Sequence, residues 1–191
     1  MSESAWLGLS SQLLPADNQL SAERYTGQAA VLLALSGPPD NPHIILTRRA
    51  AHLAQHPSEI AFPGGKWERQ DANLVQTALR ESFEEVGLAP DQVDVLGCYP
   101  QFQTLKGVVV TPVIGVIPCD VHLVPDPAEL DLIFTMPLRL LESNQAAAWR
   151  SVQQRGKNYR IPVFEYQQHT IWGLTAAIGN RLAMEVFSLS E

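Results

Sequence analysis

Phe62-Pro63-Gly64-Gly65 and, after fourteen intervening residues, Arg80-Glu81-Ser82-Phe83-Glu84-Glu85-Val86-Gly87-Leu88: these two runs decide how the chain is read. Residues 72–86 hold no Gly or Pro and predict a helix. Gly87 stands where a left-handed C-cap belongs, and Pro90 follows it. Asp71 stands where an N-cap is expected. At about 100° per residue, with Glu81 at zero, Glu85 lies near +40° and Glu84 near −60°. Val75, Ala78, Leu79, Ser82, Phe83 and Val86 fall between about +60° and +200°. The helix therefore has a core-facing stripe with an acidic cluster beside it.

That cluster goes against helix preferences. Like charges four apart destabilise a helix by roughly 0.2–0.5 kcal/mol per pair. Carboxylates near a helix C-terminus also oppose the dipole. A cation would offset both costs, and oxygen-only ligands on a rigid element suit Mg2+ or Mn2+. A solvated acidic face is the alternative reading of the same three glutamates taken alone. The preceding Pro-Gly-Gly changes the balance, because adjacent glycines let backbone approach a ligand closely. Arg80 is either a surface ion pair or a brace for the carboxylates.

Outward from this centre, Ala29–Leu35 is a continuous apolar run, expected as a strand buried on both faces. The Pro- and Gly-rich turn at 36–42 joins it to a second strand over 43–49, as a hairpin. Further strands are expected over 93–99, 108–117, 130–134 and 159–166, with Pro112 marking an edge or a bulge. Helices are expected over 4–14, from 138 to 142, and over 171–187 with Gly173 and Gly179 inside it. Strands mixed with a few helices indicate an α+β fold with αβα layers. Residues 1–26 are taken as an N-terminal extension and 27–191 as one domain. Residues 143–158 carry no functional reading.

The chain has 191 residues and a net charge of −7. That balance argues against a broad nucleic-acid surface, which needs clustered Lys and Arg. Cys98 and Cys119 fit neither a disulfide framework nor a zinc site. No segment reads as a signal peptide or a membrane span, so a cytoplasmic setting is expected. The expected partner is a small-molecule nucleotide, with oligomeric state left open.

The two opening runs resemble the Nudix box: Gly, five residues, Glu, seven residues, Arg-Glu-apolar-x-Glu-Glu-x-Gly-apolar. Gly65 opens the match and Arg80–Leu88 closes it. Asp71 stands in place of the first Glu, eight residues separate it from Arg80, and Ser82 replaces an apolar residue. The extra residue is similar to the coenzyme A pyrophosphatase subgroup. So are Ile45-Leu46-Thr47-Arg48-Arg49-Ala50 leading to Phe62–Gly65, Val110–Gly115 and Ile171–Ala176. Ala54 and Ser58 depart from that subgroup's Arg and Gly.

The resemblance implies an αβα sandwich with a mixed sheet, dependence on Mg2+ or Mn2+, and hydrolysis of the diphosphate of a nucleoside diphosphate derivative. Coenzyme A or acyl-coenzyme A would give 3',5'-ADP and a phosphopantetheine. ADP-ribose, a dinucleotide or a nucleoside triphosphate is the alternative substrate, and a nucleotide-sensing module without catalysis is the non-enzymatic one. It implies Glu81, Glu84 and Glu85 as metal ligands and Arg80 as the residue orienting them. Glu81 or Glu84 would serve as base, with Glu129 a further candidate. Arg49, Phe62, Gly64, Gly65 and Lys66 are the expected substrate-binding residues. His52 and His56 read as loop residues, and Trp172 and Phe187 as core residues of the last helix.

Overall fold

In the computed structural model, residues 13–15, 25–154 and 156–188 are described. The helix expected over 4–14 falls outside them apart from its end, where Leu14 forms an isolated antiparallel bridge with Cys98.

The strand over 28–36 (β1, Gln28–Ser36) occupies the middle of the main sheet. Its apolar run is buried on both faces: Leu33 and Leu35 enter one core cluster, Ala30, Leu32 and Ala34 the other. On one side it pairs antiparallel with β2 (His43–Arg49), the expected hairpin. On the other it pairs in parallel with β7 (Val109–Val116). Short strands β3 (Ile60–Ala61) and β4 (Gly64–Lys66) attach to β2 and β1. β5 (Asp94–Cys98) and β6 (Phe102–Gln103) line up along β7, and β8 (Leu130–Pro137) lies against β2.

Helix α1 (Leu74–Val86) covers one face through Leu74, Val75, Ala78 and Val86. Helix α2 (Gly173–Ser188) covers the other through Ala176, Ile178, Leu182, Ala183 and Phe187. The architecture is the αβα sandwich expected from the sequence. No helix among the described residues is long and apolar enough to cross a membrane.

The structure corrects several boundaries. Pro112 lies inside β7 rather than on an edge. Its carbonyl accepts from the Tyr99 N–H at 2.9 Å, on the side where β5 has ended and β6 not begun. The missing N–H therefore costs no bond to β1. Leu138–Leu141 forms a 3-10 turn rather than the start of an α-helix. The stretch at 143–158 contains strand β9 (Ala148–Gln154), which pairs with β10 (Lys157–Tyr166), longer than expected, and β10 with β11 (His169–Ile171). Most of β9 is exposed, so it lacks the apolar signal that marks a buried strand.

The N-cap of α1 is Asn73, not Asp71. Its side chain accepts from the Gln76 N–H at 2.9 Å, and the helix starts two residues later than expected. Gly87 caps the other end as expected, at φ 70°, donating to the Phe83 carbonyl at 3.0 Å. Asn73→Ala is expected to lower stability by about 1 kcal/mol, the usual worth of such a cap. Chemical denaturation checks this, and an unchanged midpoint would remove Asn73 from that role.

Candidate active site

Two glycines and one helix bring the acidic residues together. β4 pairs with β1 so that Gly64 faces Val31 and Gly65 faces Ala30, and α1 packs across both strands. A Cβ at Gly65 would lie 2.5 Å from both carboxylate oxygens of Glu81. The glycine is thus the floor of a cradle that the Glu81 carboxylate occupies. The Gly64 N–H donates to Oε2 of Glu85 at 2.9 Å.

Arg80 organises the cluster. Its Nε donates to Oδ1 of Asp71 at 2.9 Å and its Nη2 to Oδ2 at 3.0 Å, a two-pronged grip on a buried carboxylate. The same guanidinium reaches Glu81 at 3.1 Å, Glu84 at 2.8 Å and the Lys66 carbonyl at 3.0 Å. Asp71 also accepts from the Glu68 N–H and the Thr77 hydroxyl. Burial by itself would raise the Asp71 carboxyl. The bonds from Arg80, Glu68 and Thr77 outweigh it and hold the group below its ordinary value. Asp71 therefore anchors Arg80. Nothing in the spacing separates this role from an N-cap, because both place an acid just before the helix.

The glutamates differ in environment. Glu84 is 54% exposed. Burial raises Glu81, against the opposing charge of Arg80 and with Glu84 and Glu129 adding to the rise. Glu85 is 5% exposed and pushed up to about 7, first by burial. The Gly64 N–H opposes that shift, Glu129 and Glu81 add to it, and Arg49 opposes it. Glu129, exposed on the loop before β8, thus stands within electrostatic reach of both Glu81 and Glu85. Backbone bonds fix that loop: the Asp126 N–H donates to the Glu85 carbonyl and the Ala50 N–H to the Glu129 carbonyl.

Among the described residues, no three carboxylate, imidazole or thiol groups stand close enough to hold a metal ion. Arg80 engages Glu81 and Glu84 in this arrangement. The donor set nonetheless fits a hard divalent cation. It is all oxygen, one member sits in a glycine cradle, and another is buried and raised by neighbouring carboxylates. A cation there would offset the burial that chiefly raises Glu81 and Glu85 and would relieve the lesser repulsion among the carboxylates.

The remaining expected residues divide. Arg49 shares the face of Ile45 and Thr47 toward α1, and its buried Nε has no hydrogen-bond partner. A buried guanidinium N–H left open beside a carboxylate cluster is a ready donor for an anion. Arg48 points the other way and pairs with Asp131 at 2.6 Å. Lys66 is exposed at the mouth of the glycine turn. Phe62 is 4% exposed, in the core under α2, so it offers no surface to a ligand. His56 bonds Glu59 at 2.7 Å and His52 meets the Ala128 carbonyl at 3.2 Å, as loop residues. Phe187 is buried as expected, but Trp172 is 40% exposed, just ahead of α2.

The NUDIX domain model matches residues 26–155. Over 175 residues the chain is 40% identical to a Photorhabdus laumondii protein described as the uncharacterized Nudix hydrolase NudL, covering 92% of each. A relative of the same description from Enterobacter sp. (strain 638) is 38% identical over 161 residues, 83% of this chain and 82% of that one. Among solved structures, a MutT/nudix family protein from Enterococcus faecalis superposes with a TM-score of 0.51 at 16% identity, over 99% of this chain and 69% of that one. At that identity the likeness shows the fold.

Proposed function

Because the chain belongs to the Nudix family, and is a pyrophosphatase acting on phosphoric anhydrides, we propose that its substrate is coenzyme A or acyl-coenzyme A, cut to 3',5'-ADP and (acyl-)phosphopantetheine. The observation carrying this reading is the meeting of two distant segments that resemble the subgroup. The Thr175 hydroxyl, in 171–176, donates to the Ile60 carbonyl at 3.1 Å, between the Arg48–Arg49 strand and the glycine turn. Ser58, where the subgroup has Gly, sits at φ 59°. The left-handed backbone that a glycine would supply is therefore kept by a serine, at a cost of roughly 1–2 kcal/mol. Ala54 is exposed and supplies no cation, which favours a second reading in which another nucleoside diphosphate derivative such as ADP-ribose is the substrate.

We assign Mg2+ or Mn2+ to Glu81, Glu84 and Glu85. When bound, such an ion neutralises diphosphate charge and lowers the pKa of a coordinated water. Arg80, locked by Asp71, holds the carboxylates in register. Arg49 donates its open N–H to a phosphate oxygen, and Lys66 meets the diphosphate at the mouth. Gly65 leaves room for the Glu81 carboxylate, and the Gly64 N–H holds that of Glu85. Glu81 takes the proton of the attacking water, with Glu129 assisting from the loop. Glu129→Gln is then expected to lower kcat about tenfold, less than the 10²–10⁴ of a lost general base. A loss as complete as that of a ligand mutant would make Glu129 the base.

Substrate choice is tested by incubating the purified protein with Mg2+, then Mn2+, and coenzyme A, ADP-ribose, NADH or nucleoside triphosphates, identifying products by mass. A phosphopantetheine product from coenzyme A is expected. Cleavage of another compound alone would discard the substrate and keep the site.

A further inference from the structure

The β9–β10 hairpin carries a charge opposite to that of the chain as a whole. From residue 143 to 164 the sequence holds Arg150, Arg155, Lys157 and Arg160 and no Asp or Glu, in a protein of net charge −7. The two strands are paired from Ala148–Val163 to Gln154–Lys157, so they form a fixed ribbon. The Gln154 amide donates to the Gln103 and Thr104 carbonyls and ties the tip to the turn before β7, where Lys106 is exposed. Trp149 and Tyr159 stand exposed on the ribbon. The Arg160 guanidinium lies over the Trp149 ring at 5.3 Å and that of Arg150 over Trp172 at 5.4 Å. A guanidinium held against a ring keeps its N–H edge open to a carboxylate. Among the described residues, none of Lys106, Arg150, Lys157 and Arg160 forms an ion pair.

A surface of the complementary kind lies at the far end of the sheet. From residue 107 to 138 the sequence holds no Lys or Arg. Asp94 opens β5 opposite Val116, where β7 finishes, Asp120 follows β7, and Asp91 stands in the 3-10 turn Pro90–Gln92 after α1. All three carboxylates are exposed, and among the described residues none forms an ion pair. Two large apolar side chains accompany them. Phe83, on the last turn of α1, is 53% exposed, and Val124, whose N–H donates to the Val86 carbonyl at 3.0 Å, is 55% exposed.

The two surfaces do not meet within one chain, because the hairpin tip lies where β7 begins and the carboxylates lie where it finishes. The eight residues of β7 separate those ends by roughly 25 Å. Contact between two chains joins them, cation to carboxylate and aromatic to apolar side chain. Trp, Tyr and Arg are the residues on which binding energy concentrates, and opposite charge fixes the register of a contact. Other occupants fit less. β9 is the outer strand of its sheet, but edge-to-edge pairing of two copies would bring like-charged hairpins together, with Arg150 on the edge itself. A nucleic acid would take up the cations and leave Phe83, Val124 and the carboxylates uncovered.

We infer that the β9–β10 hairpin of one copy docks on the surface formed by Phe83, Val124, Asp91, Asp94 and Asp120 of a second copy. Such a contact joins unlike surfaces, so it is either exchanged between two copies or repeated from copy to copy. The full chain is followed by sedimentation velocity from about 1 to about 100 µM, in about 0.05 M and about 1 M NaCl. A dimer or larger species is expected at low salt, with a dissociation constant at least tenfold higher at high salt. Two variants reverse the charges: Arg150→Glu with Arg160→Glu, and Asp94→Lys with Asp120→Lys. Each alone is expected to be monomeric with a wild-type melting temperature, and a mixture of the two to associate again, because the reversed hairpin meets the reversed surface. A wild type that stays monomeric throughout, variants that associate as wild type does, or a mixture that stays monomeric would each overturn the inference. So would a monomeric wild type that binds a labelled uridine oligonucleotide through the hairpin, which would assign the cations to RNA.

Discussion

Replacing Glu85 by Gln is expected to cut kcat/KM roughly a thousandfold, about 4 kcal/mol of transition-state stabilisation, while making the metal-free protein more stable at pH 8. Both effects come from the same buried oxygen pair. Gln keeps an acceptor for the Gly64 N–H, so the local bond survives. It lacks the charge that a divalent ion requires. The stability gain follows from linkage. Glu85 is raised from 4.5 to about 7, so between those values the folded state binds more protons than the unfolded one. Stability of the metal-free wild type therefore falls as pH rises through that window, and the penalty, of order 3 kcal/mol, is complete above it. The variant should show a flatter stability–pH profile from 4.5 to 7 and a higher midpoint at pH 8. Adding Mg2+ should raise the wild-type midpoint and leave that of the variant nearly unmoved. Near-normal turnover would remove Glu85 from the ligand set, and a lower midpoint at pH 8 would refute the electrostatic account.

The adjacent glycines should fail in opposite ways when changed to Ala. Gly64 sits at φ 147°, and its Cβ would run into the Ala30 carbonyl and lie 2.6 Å from the Val31 Cα. Both obstacles are backbone of the central strand and cannot rotate away. Gly64→Ala should therefore lose roughly 3 kcal/mol or more of stability. Gly65 has no such φ, and its Cβ would meet only the carboxylate end of Glu81. A flexible side chain can swing aside, so Gly65→Ala should melt within a few degrees of wild type. The displaced Glu81 should then lower kcat/KM by roughly two orders of magnitude, within the range for a misplaced catalytic group. Thermal melting and steady-state kinetics on both variants decide this. Equal stability losses would mean that the cradle is a packing feature, and full activity in Gly65→Ala would mean that Glu81 does not need its place there.

Elements whose signal is local were legible in the sequence. Helix α1 announced itself by an apolar stripe and a Gly87 cap, and β1 by an unbroken apolar run that only a strand buried on both faces explains. The acidic cluster was legible because its charges oppose the helix that carries them. What depends on distant partners was not. Asp71 looks like an N-cap until Arg80 is seen to reach back nine residues for it. Phe62 follows the extended segment into the glycine turn, yet its ring turns into the core toward Gly179. Strand β9, the partner of the expected strand over 159–166, carries no such signal because its residues, Trp149 among them, are exposed and interleaved with cations. Trp172 reads as a core residue because an aromatic beside a helix usually is one, yet it is exposed.

The parallel pairing of β1 with β7 has a kinetic consequence. Gln28 aligns with Val109 and Leu35 with Val116, so the pairing encloses the glycine turn, α1 and every glutamate of that helix in one loop of chain. Such non-local contacts form slowly, because the entropy of closing the loop is lost before any contact rewards it. During synthesis α1 leaves the ribosome well before β7 does, so its acidic face must wait, without its sheet, until the closing strand arrives. The cluster that serves the folded enzyme is then a burden on the unfinished one, and a divalent ion captured only after closure would act as a late latch on folding.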